Sequence, residues 1–220
     1  MVVKLYAKPS ISAGGGVVAL VLAEKRIPFE YIVLDYAGKE QKGTAHLKRN
    51  PFGQVPVVDD NGFVIYETRA ICRYLVEKYP DHGPSLLPGP SLEERAIFEQ
   101  AASVEVTTFF PAVTKLGWEM LGKPKRGLEV DEAALANMLE DFAAKMDVYE
   151  QILRKQEYIA GNDITLVDLF HLISMPAFSI EGTANIMGDE RRPNVIRWWK
   201  AVTARPEWVN LRQHGIKSII

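Results

Sequence analysis

Asn50-Pro51-Phe52-Gly53-Gln54-Val55-Pro56-Val57-Val58-Asp59-Asp60-Asn61-Gly62-Phe63-Val64-Ile65-Tyr66 holds two short apolar runs divided by Asp-Asn-Gly. Asn-Gly between β-prone runs is a hairpin signal, so the stretch is expected to be an antiparallel pair. Glu67-Thr68-Arg69-Ala70-Ile71 then opens a helix. Ile71, Tyr74, Leu75 and Lys78 recur at three- and four-residue spacing, which predicts an apolar seam through Tyr74 and Leu75.

Upstream, Val2 to Tyr6 is β-branched and aromatic and stops at Pro9, which reads as a strand entering a turn. Residues 12 to 25 read as a helix whose nearly continuous apolar content suits packing on a sheet, closed by the charges of Glu24-Lys25-Arg26. Phe29 to Leu34 reads as a second strand, so the order is βαβ followed by ββα. Downstream, Pro80 to Pro90 carries four prolines and two glycines and can continue neither kind of element. Beyond it the strand signal vanishes: 91–121, 131–154, 165–180 and 193–203 are helix-patterned, with Lys145, Asp147 and Glu150 expected outward. Thr165-Leu166-Val167-Asp168 has the form of a capping box, with Ile164 able to staple onto Leu169, so Asp168 is expected to be structural.

With 220 residues, 47% hydrophobic and 25% charged, the chain is long enough for one or two folded domains and too apolar for disorder. Lys+Arg 26 against Asp+Glu 28 leaves a net charge of -2 with no long basic run, so no nucleic-acid partner is expected. A single cysteine, Cys72, forms no intrachain disulfide and no CxxC pair, which fits a reducing compartment. The longest clean apolar run, Val17 to Ala23, is stopped by Glu24 and Lys25, so neither a signal peptide nor a membrane span is expected. His46, His82, His171 and His214 are dispersed without metal-ligand spacing, and no metal is assigned.

Three places could carry chemistry. Pro9-Ser10-Ile11-Ser12-Ala13-Gly14-Gly15-Gly16 lies where strand meets helix, where backbone N–H groups and the positive end of the helix dipole favour a hydroxyl or an anion. Its serines also suit plain helix caps, and the glycines are no phosphate loop because no GK[ST] follows. Pro56 is either an ordinary edge-strand proline or a cis one that turns Val55 outward. At Tyr66-Glu67-Thr68-Arg69, Thr68 can cap the following helix and Glu67 can accept from an ammonium, or simply be solvated.

Together, Asn50 to Pro56, Glu67 to Ile71 and Ile164 to Asp168 resemble the soluble glutathione transferases over essentially the whole chain, and most closely the serine-dependent phi class of plants and fungi. The resemblance implies an α/β thioredoxin-like domain over 1–80, a linker over 81–90 and an all-α domain over 91–220. It implies glutathione as co-substrate and no metal. Val55 would meet the cysteinyl backbone beside a cis Pro56, Glu67 and Thr68 the γ-glutamyl end, and Gln41 and Lys42 the glycyl carboxylate with help from Gln54. Phi members commonly have His where Gln41 stands and Thr-Arg-Arg where Gly14-Gly15-Gly16 stands.

The catalytic serine follows from counting. Back from Ala23-Glu24-Lys25 it is Ser12; forward from Pro9 the position falls on Ile11, between two serines. Ser12 is favoured and Ser10 is the alternative. A thiol like that of free cysteine has a pKa of about 8.5, and a serine hydrogen bond plus the helix terminus would favour its thiolate. That thiolate would attack hydrophobic electrophiles, or reduce peroxides, in an apolar site lined by Phe110, Trp118 and Phe178. Cys72 is expected in the core and takes no part. The resemblance also implies a cytoplasmic homodimer. The rival readings are a ligandin-type carrier of hydrophobic small molecules and a transferase-like interaction domain; the Val55-Pro56 and Glu67-Thr68 pairs argue against the latter.

Overall fold

A computed structural model describes residues 2–179 and 181–220, leaving aside the side chains of Met175, Pro176 and Ser179. The chain forms two compact units, one built from residues 1–87 with 204–220, the other from 88–203.

The first unit is a four-stranded sheet in the order β2-β1-β3-β4, with β1 Val3–Ala7, β2 Phe29–Val33, β3 Val57–Asp60 and β4 Phe63–Tyr66. β1 pairs parallel with β2, Leu5 opposite Tyr31, and antiparallel with β3, Leu5 opposite Val58. β3 and β4 close as the expected hairpin: Asn61 and Gly62 have φ of 57° and 92°, and the Asp59 carboxylate accepts the Gly62 N–H at 2.8 Å. α1, Gly14–Glu24, packs on β1, on α3 (Thr68–Lys78) and on α10 (Pro206–His214). Being covered all round, it is apolar all round, as a core helix must be. Alternate residues of β1 divide between the faces: Ala7 lies under Gly15 of α1, while Tyr6 joins Leu34 and Val57 on the other side.

Of the charges closing α1, Arg26 is exposed and the other two are buried: Glu24 takes the Arg205 guanidinium at 2.5 and 2.6 Å, and Lys25, 0% exposed, donates to the carbonyls of Pro84 and Pro80 at 3.1 and 3.5 Å. Two expectations about this unit are corrected. The seam of α3 runs through Ile71, Cys72, Leu75 and Val76; Tyr74 instead donates to the buried Asp60 carboxylate at 3.0 Å, which also pairs with Lys78 at 2.6 Å. Residues 204–220, assigned by sequence to the helical domain, pack in the first unit. Arg205 is drawn there by Glu24, Trp208 is fully buried, and Ile219 bridges Phe29 on the outer edge of β2 at 2.6 and 2.9 Å.

The second unit is helical among its described residues. α4, Leu92–Val104, starts on a capping box in which Ser91 and Glu94 exchange hydrogen bonds at 3.1 Å. The pattern read as one helix over 91–121 is broken by wide turns at 105–109 and 118–122 on either side of α5, Phe110–Gly117. Pro111 has no N–H for the carbonyl four residues back, and the chain widens just before it. α6 spans Glu132–Leu153, α7 Leu166–Phe170, α8 Glu181–Met187 and α9 Pro193–Thr203, with a 3₁₀ stretch at His171–Ser179 where the pattern predicts continued α-helix.

The core of the second unit is aromatic: Phe109, Phe142, Tyr149, His171, Phe178 and Trp198 touch one another in a continuous stack. Asp168 sits at its base, taking Thr165 N–H at 2.8 Å, Ile159 N–H at 3.1 Å and the Trp198 indole N–H at 2.8 Å. It is structural, as its capping-box position predicts. Burial pushes its carboxyl above the usual range, with the donors pulling the other way. Glu150, expected outward, is buried and receives the backbone N–H groups of Asn194 and Val195 at 2.9 and 3.1 Å, holding the start of α9.

Candidate active site

The three motifs of the first unit that could carry chemistry come together at Gly14. A Cβ placed on Gly14 would lie 2.0 Å from Thr68 Oγ1 and 3.1 Å from Pro56 Cδ, so the serine turn, the Val55-Pro56 turn and the start of α3 meet here. The Val55–Pro56 peptide bond is cis, as the resemblance implies. The triple glycine thereby gains a physical reason. Gly15 lies over Ala7, where a Cβ would come within 2.6 Å of the alanine methyl, and Gly16 faces the Ile11 carbonyl, where it would come within 2.0 Å. The glycines clamp the turn against its neighbours.

α1 starts at this point with Ala13 as its N-cap, without a side-chain cap and without an acidic residue in its first turn. Its positive end is therefore not neutralised by its own sequence. Ser10 and Ser12 are both half-buried. The Ser10 Oγ accepts the Ser12 N–H at 3.2 Å, and Ser10 lines a cleft of about 400 Å³ with Ile11, Tyr31, Leu211, Arg212 and Ile216. Tyr31 ties the turn to the sheet: its hydroxyl donates to the Lys8 carbonyl at 2.8 Å, the same carbonyl that accepts the Ser10 N–H at 2.7 Å. Burial raises the Tyr31 phenol above its ordinary value, keeping it a donor.

Glu67 is exposed and occupies the N-cap of α3 with φ of 73°. A positive φ on a glutamate costs about 1–3 kcal/mol and concentrates at functional sites. Thr68 is not the cap, as expected from sequence, but the buried first residue of the helix, its hydroxyl pressed toward Gly14. Gln41 is buried on a 3₁₀ turn at Glu40–Lys42, and its Oε1 has no partner among the described residues. Lys42 is exposed and donates to the Phe52 carbonyl at 2.8 Å. Gln54 is exposed, whereas its carbonyl faces inward to His46 Nε2 at 2.8 Å and Asn50 Nδ2 at 3.0 Å. Sequence reasoning missed His46 and Asn50. Only the Asn-Pro-x-Gly turn signal around Asn50 could have found one of them.

Cys72 is buried and its thiol is pushed far up by desolvation, so it stays an inert thiol. Among the described residues no group of three or more His, Cys, Asp or Glu is placed to hold a metal ion, and no helix is long and apolar enough to cross a membrane.

The aromatic residues expected to line an apolar site lie in the second unit. Phe110 is half-buried at the start of α5. Trp118 is 45% exposed, with the Arg126 guanidinium 5.0 Å from its ring centre. Phe178 is buried in the core stack, with Phe109 and Phe142 each 5.9 Å away and Trp199 at 5.0 Å. An apolar hollow of about 230 Å³ in this unit is lined by Ile97, Ala101, Val104, Ile152 and Ile159 and by none of those three aromatics.

Residues 1–77 match the family described as glutathione S-transferase, N-terminal domain, and residues 109–206 match glutathione S-transferase, C-terminal domain. The chain is 42% identical over 214 residues to the glutathione S-transferase hmp2 of Hypomyces subiculosus, covering 95% of this chain and 97% of that one. It is 38% identical over 213 residues to glutathione S-transferase F11 of Arabidopsis thaliana, covering 97% and 98%. Among solved structures, glutathione transferase F2 of Populus trichocarpa superposes with a TM-score of 0.88 at 32% identity, covering 97% of this chain and 98% of that one. Glutathione S-transferase I from mais in complex with an atrazine glutathione conjugate gives 0.85 at 30%, covering 97% and 96%. With both family domains matched in order and close relatives spanning nearly the full length, the chain belongs to the glutathione S-transferase family, in its phi type.

Proposed function

We propose that this enzyme holds glutathione at the Gly14 junction, stabilises its thiol as a thiolate through the Ser12 hydroxyl, and transfers it to hydrophobic electrophiles. The observation that carries the reading is the contact of Gly14 with both Thr68 and Pro56, which joins three sequence-distant motifs at the start of α1. Glu67 and Thr68 would take the γ-glutamyl end, Val55 beside Pro56 the cysteinyl backbone, and Gln41, Lys42 and Gln54 the glycyl carboxylate. A mais relative is known in complex with a glutathione conjugate, which is the product such a site would form.

The serine acts as a donor, not a nucleophile. Lowering a thiol pKa by two units corresponds to about 2.7 kcal/mol, within reach of one charge-assisted hydrogen bond and a helix terminus. Ser12 suits this better than Ser10 by the count back from Ala23-Glu24-Lys25, while Ser10 lines the cleft with Tyr31 and Arg212. The thiolate then forms a sulfur–carbon bond as the leaving group departs with its electron pair. With an organic peroxide the same sulfur attacks one oxygen, the O–O bond breaks and the alcohol leaves after protonation; the glutathione sulfenic acid so formed is taken to the disulfide and water by a second glutathione. Phe110 and Trp118 are the proposed apolar contacts for the electrophile. Assembly as a homodimer and a cytoplasmic location belong to the same proposal and rest on the family alone.

The test is an ultraviolet difference titration of bound glutathione against pH in the wild type, Ser12→Ala and Ser10→Ala. A thiol pKa depressed in the wild type and returned toward about 8.5 only in Ser12→Ala is expected. An unshifted thiol in the wild type would overturn the mechanism in favour of a carrier of hydrophobic ligands.

A further inference from the structure

We infer that His46 is a positioning residue for the glutathione site: together with Asn50 it fixes the peptide plane between Gln54 and Val55, and so aims the Val55 N–H at the substrate. The inference rests on the reading that Val55 meets the cysteinyl backbone.

The loop before β3 is exposed at Pro51, Phe52 and Gln54, yet it is anchored from below by two buried polar side chains. His46, 2% exposed on the short helix α2 (Thr44–Leu47), places Nε2 2.8 Å from the Gln54 carbonyl. Asn50, 1% exposed, donates Nδ2–H to the same oxygen at 3.0 Å, and its Oδ1 and backbone carbonyl accept the N–H groups of Phe52 and Gly53 at 3.0 and 2.9 Å. A carbonyl only accepts, so His46 carries its proton on Nε2. Its Nδ1 is buried and without a partner among the described residues. A buried polar atom left unpaired is a cost, and one the fold bears in order to place a donor at Gln54.

The consequence is directional. In a trans peptide the C=O and the following N–H point to opposite sides of one plane. The bond between Gln54 and Val55 is not among the cis bonds of this chain. Two donors holding the Gln54 oxygen inward therefore turn the Val55 N–H away from them, while Gln54 keeps its own side chain outside. A single donor would leave the plane free to rock about that contact. Two donors from separate backbone positions suppress that rotation, which is how a supporting shell turns a loop into a site.

The experiment uses full-length protein labelled with ¹⁵N and follows the Val55 amide on titration with glutathione, alongside steady-state kinetics, in the wild type, His46→Phe and His46→Gln. Loss of one hydrogen bond's worth of alignment predicts glutathione binding about fivefold to tenfold weaker in His46→Phe, with KM for glutathione rising in step. The kcat at saturating glutathione and the KM for the electrophile stay near wild type. His46→Gln, which keeps a donor, recovers binding. His46→Leu is made in parallel, since it removes the same donor with less bulk if the phenyl ring prevents folding. A glutathione-dependent shift of the Val55 amide that persists in both donor-less variants with unchanged affinity overturns the inference, as does a fall in kcat without a change in KM. Absence of any Val55 shift in the wild type overturns the underlying reading of Val55 instead.

Discussion

Gly14 and Thr68 stand so close that no side chain fits between them: a Cβ on the glycine would lie 2.0 Å from the threonine Oγ1. This contact joins the N-terminus of α1 to that of α3, and whatever moves one moves the other. Gly14→Ala is expected to cost about 1–3 kcal/mol through overpacking and to weaken glutathione binding. Thermal unfolding with and without glutathione checks both effects. Adding Thr68→Ala should restore stability by opening the space, while binding stays weak under the proposal that the Thr68 hydroxyl holds the γ-glutamyl end.

Glu24 and Arg205 form a two-pronged ion pair with the carboxylate buried. Removing the arginine alone strands a buried charge, for which about 3–5 kcal/mol is typical. Arg205→Met should therefore destabilise more than the double variant Glu24→Met/Arg205→Met, measured by urea unfolding. Equal losses would show that the pair adds nothing specific.

Asp168 gathers three N–H donors beneath the aromatic stack. Asn there turns an amide NH₂ toward at least one of them, with an expected loss of about 3 kcal/mol. The pH dependence has a definite sign. Burial raises the folded carboxyl above its ordinary value near 3.8, so its contribution is fully present below that value and lost as pH rises through the folded one. The gap in melting temperature between wild type and Asp168→Asn should thus widen on acidification from about pH 7 toward 4. A constant gap would mean the carboxyl titrates alike folded and unfolded.

Tyr31 links the serine turn to Ser218, its hydroxyl donating to the Lys8 carbonyl and its backbone N–H donating to the Ser218 Oγ at 2.9 Å. Tyr31→Phe releases the Lys8 carbonyl on one side. The expected outcome is a modest loss of stability, about 1 kcal/mol, and a rise in the pKa of the bound glutathione thiol smaller than that in Ser12→Ala. The same ultraviolet titration reads it.

Much of this molecule could be read locally. Asn61-Gly62 specified its turn because few residue pairs accept two positive φ angles, and Thr165 to Asp168 specified a helix start because its hydrogen bonds span three residues. What escaped reading depends on partners far along the chain. Glu24 meets Arg205 across 181 positions and Glu150 meets Asn194 across 44, and nothing beside either glutamate distinguishes it from a solvated one. Tyr74 matched the seam by spacing but carries a hydroxyl, and Asp60 lay within its reach. At the site, the order of the motifs was readable, whereas the purpose of Gly14-Gly15-Gly16 was not. Close approach of Thr68, Ala7 and the Ile11 carbonyl exists only once the elements are stacked.

The return of residues 204–220 to the first unit bears on how the chain is made. During synthesis the sheet and its helices leave the ribosome well before Arg205, Trp208 and Ile219 exist. Until these arrive, β2 has an open edge and Glu24 has no counter-ion. The residues that complete the first unit are delivered only after residues 88–203 have been translated, so the nascent sheet unit stays incomplete until the second unit has been made.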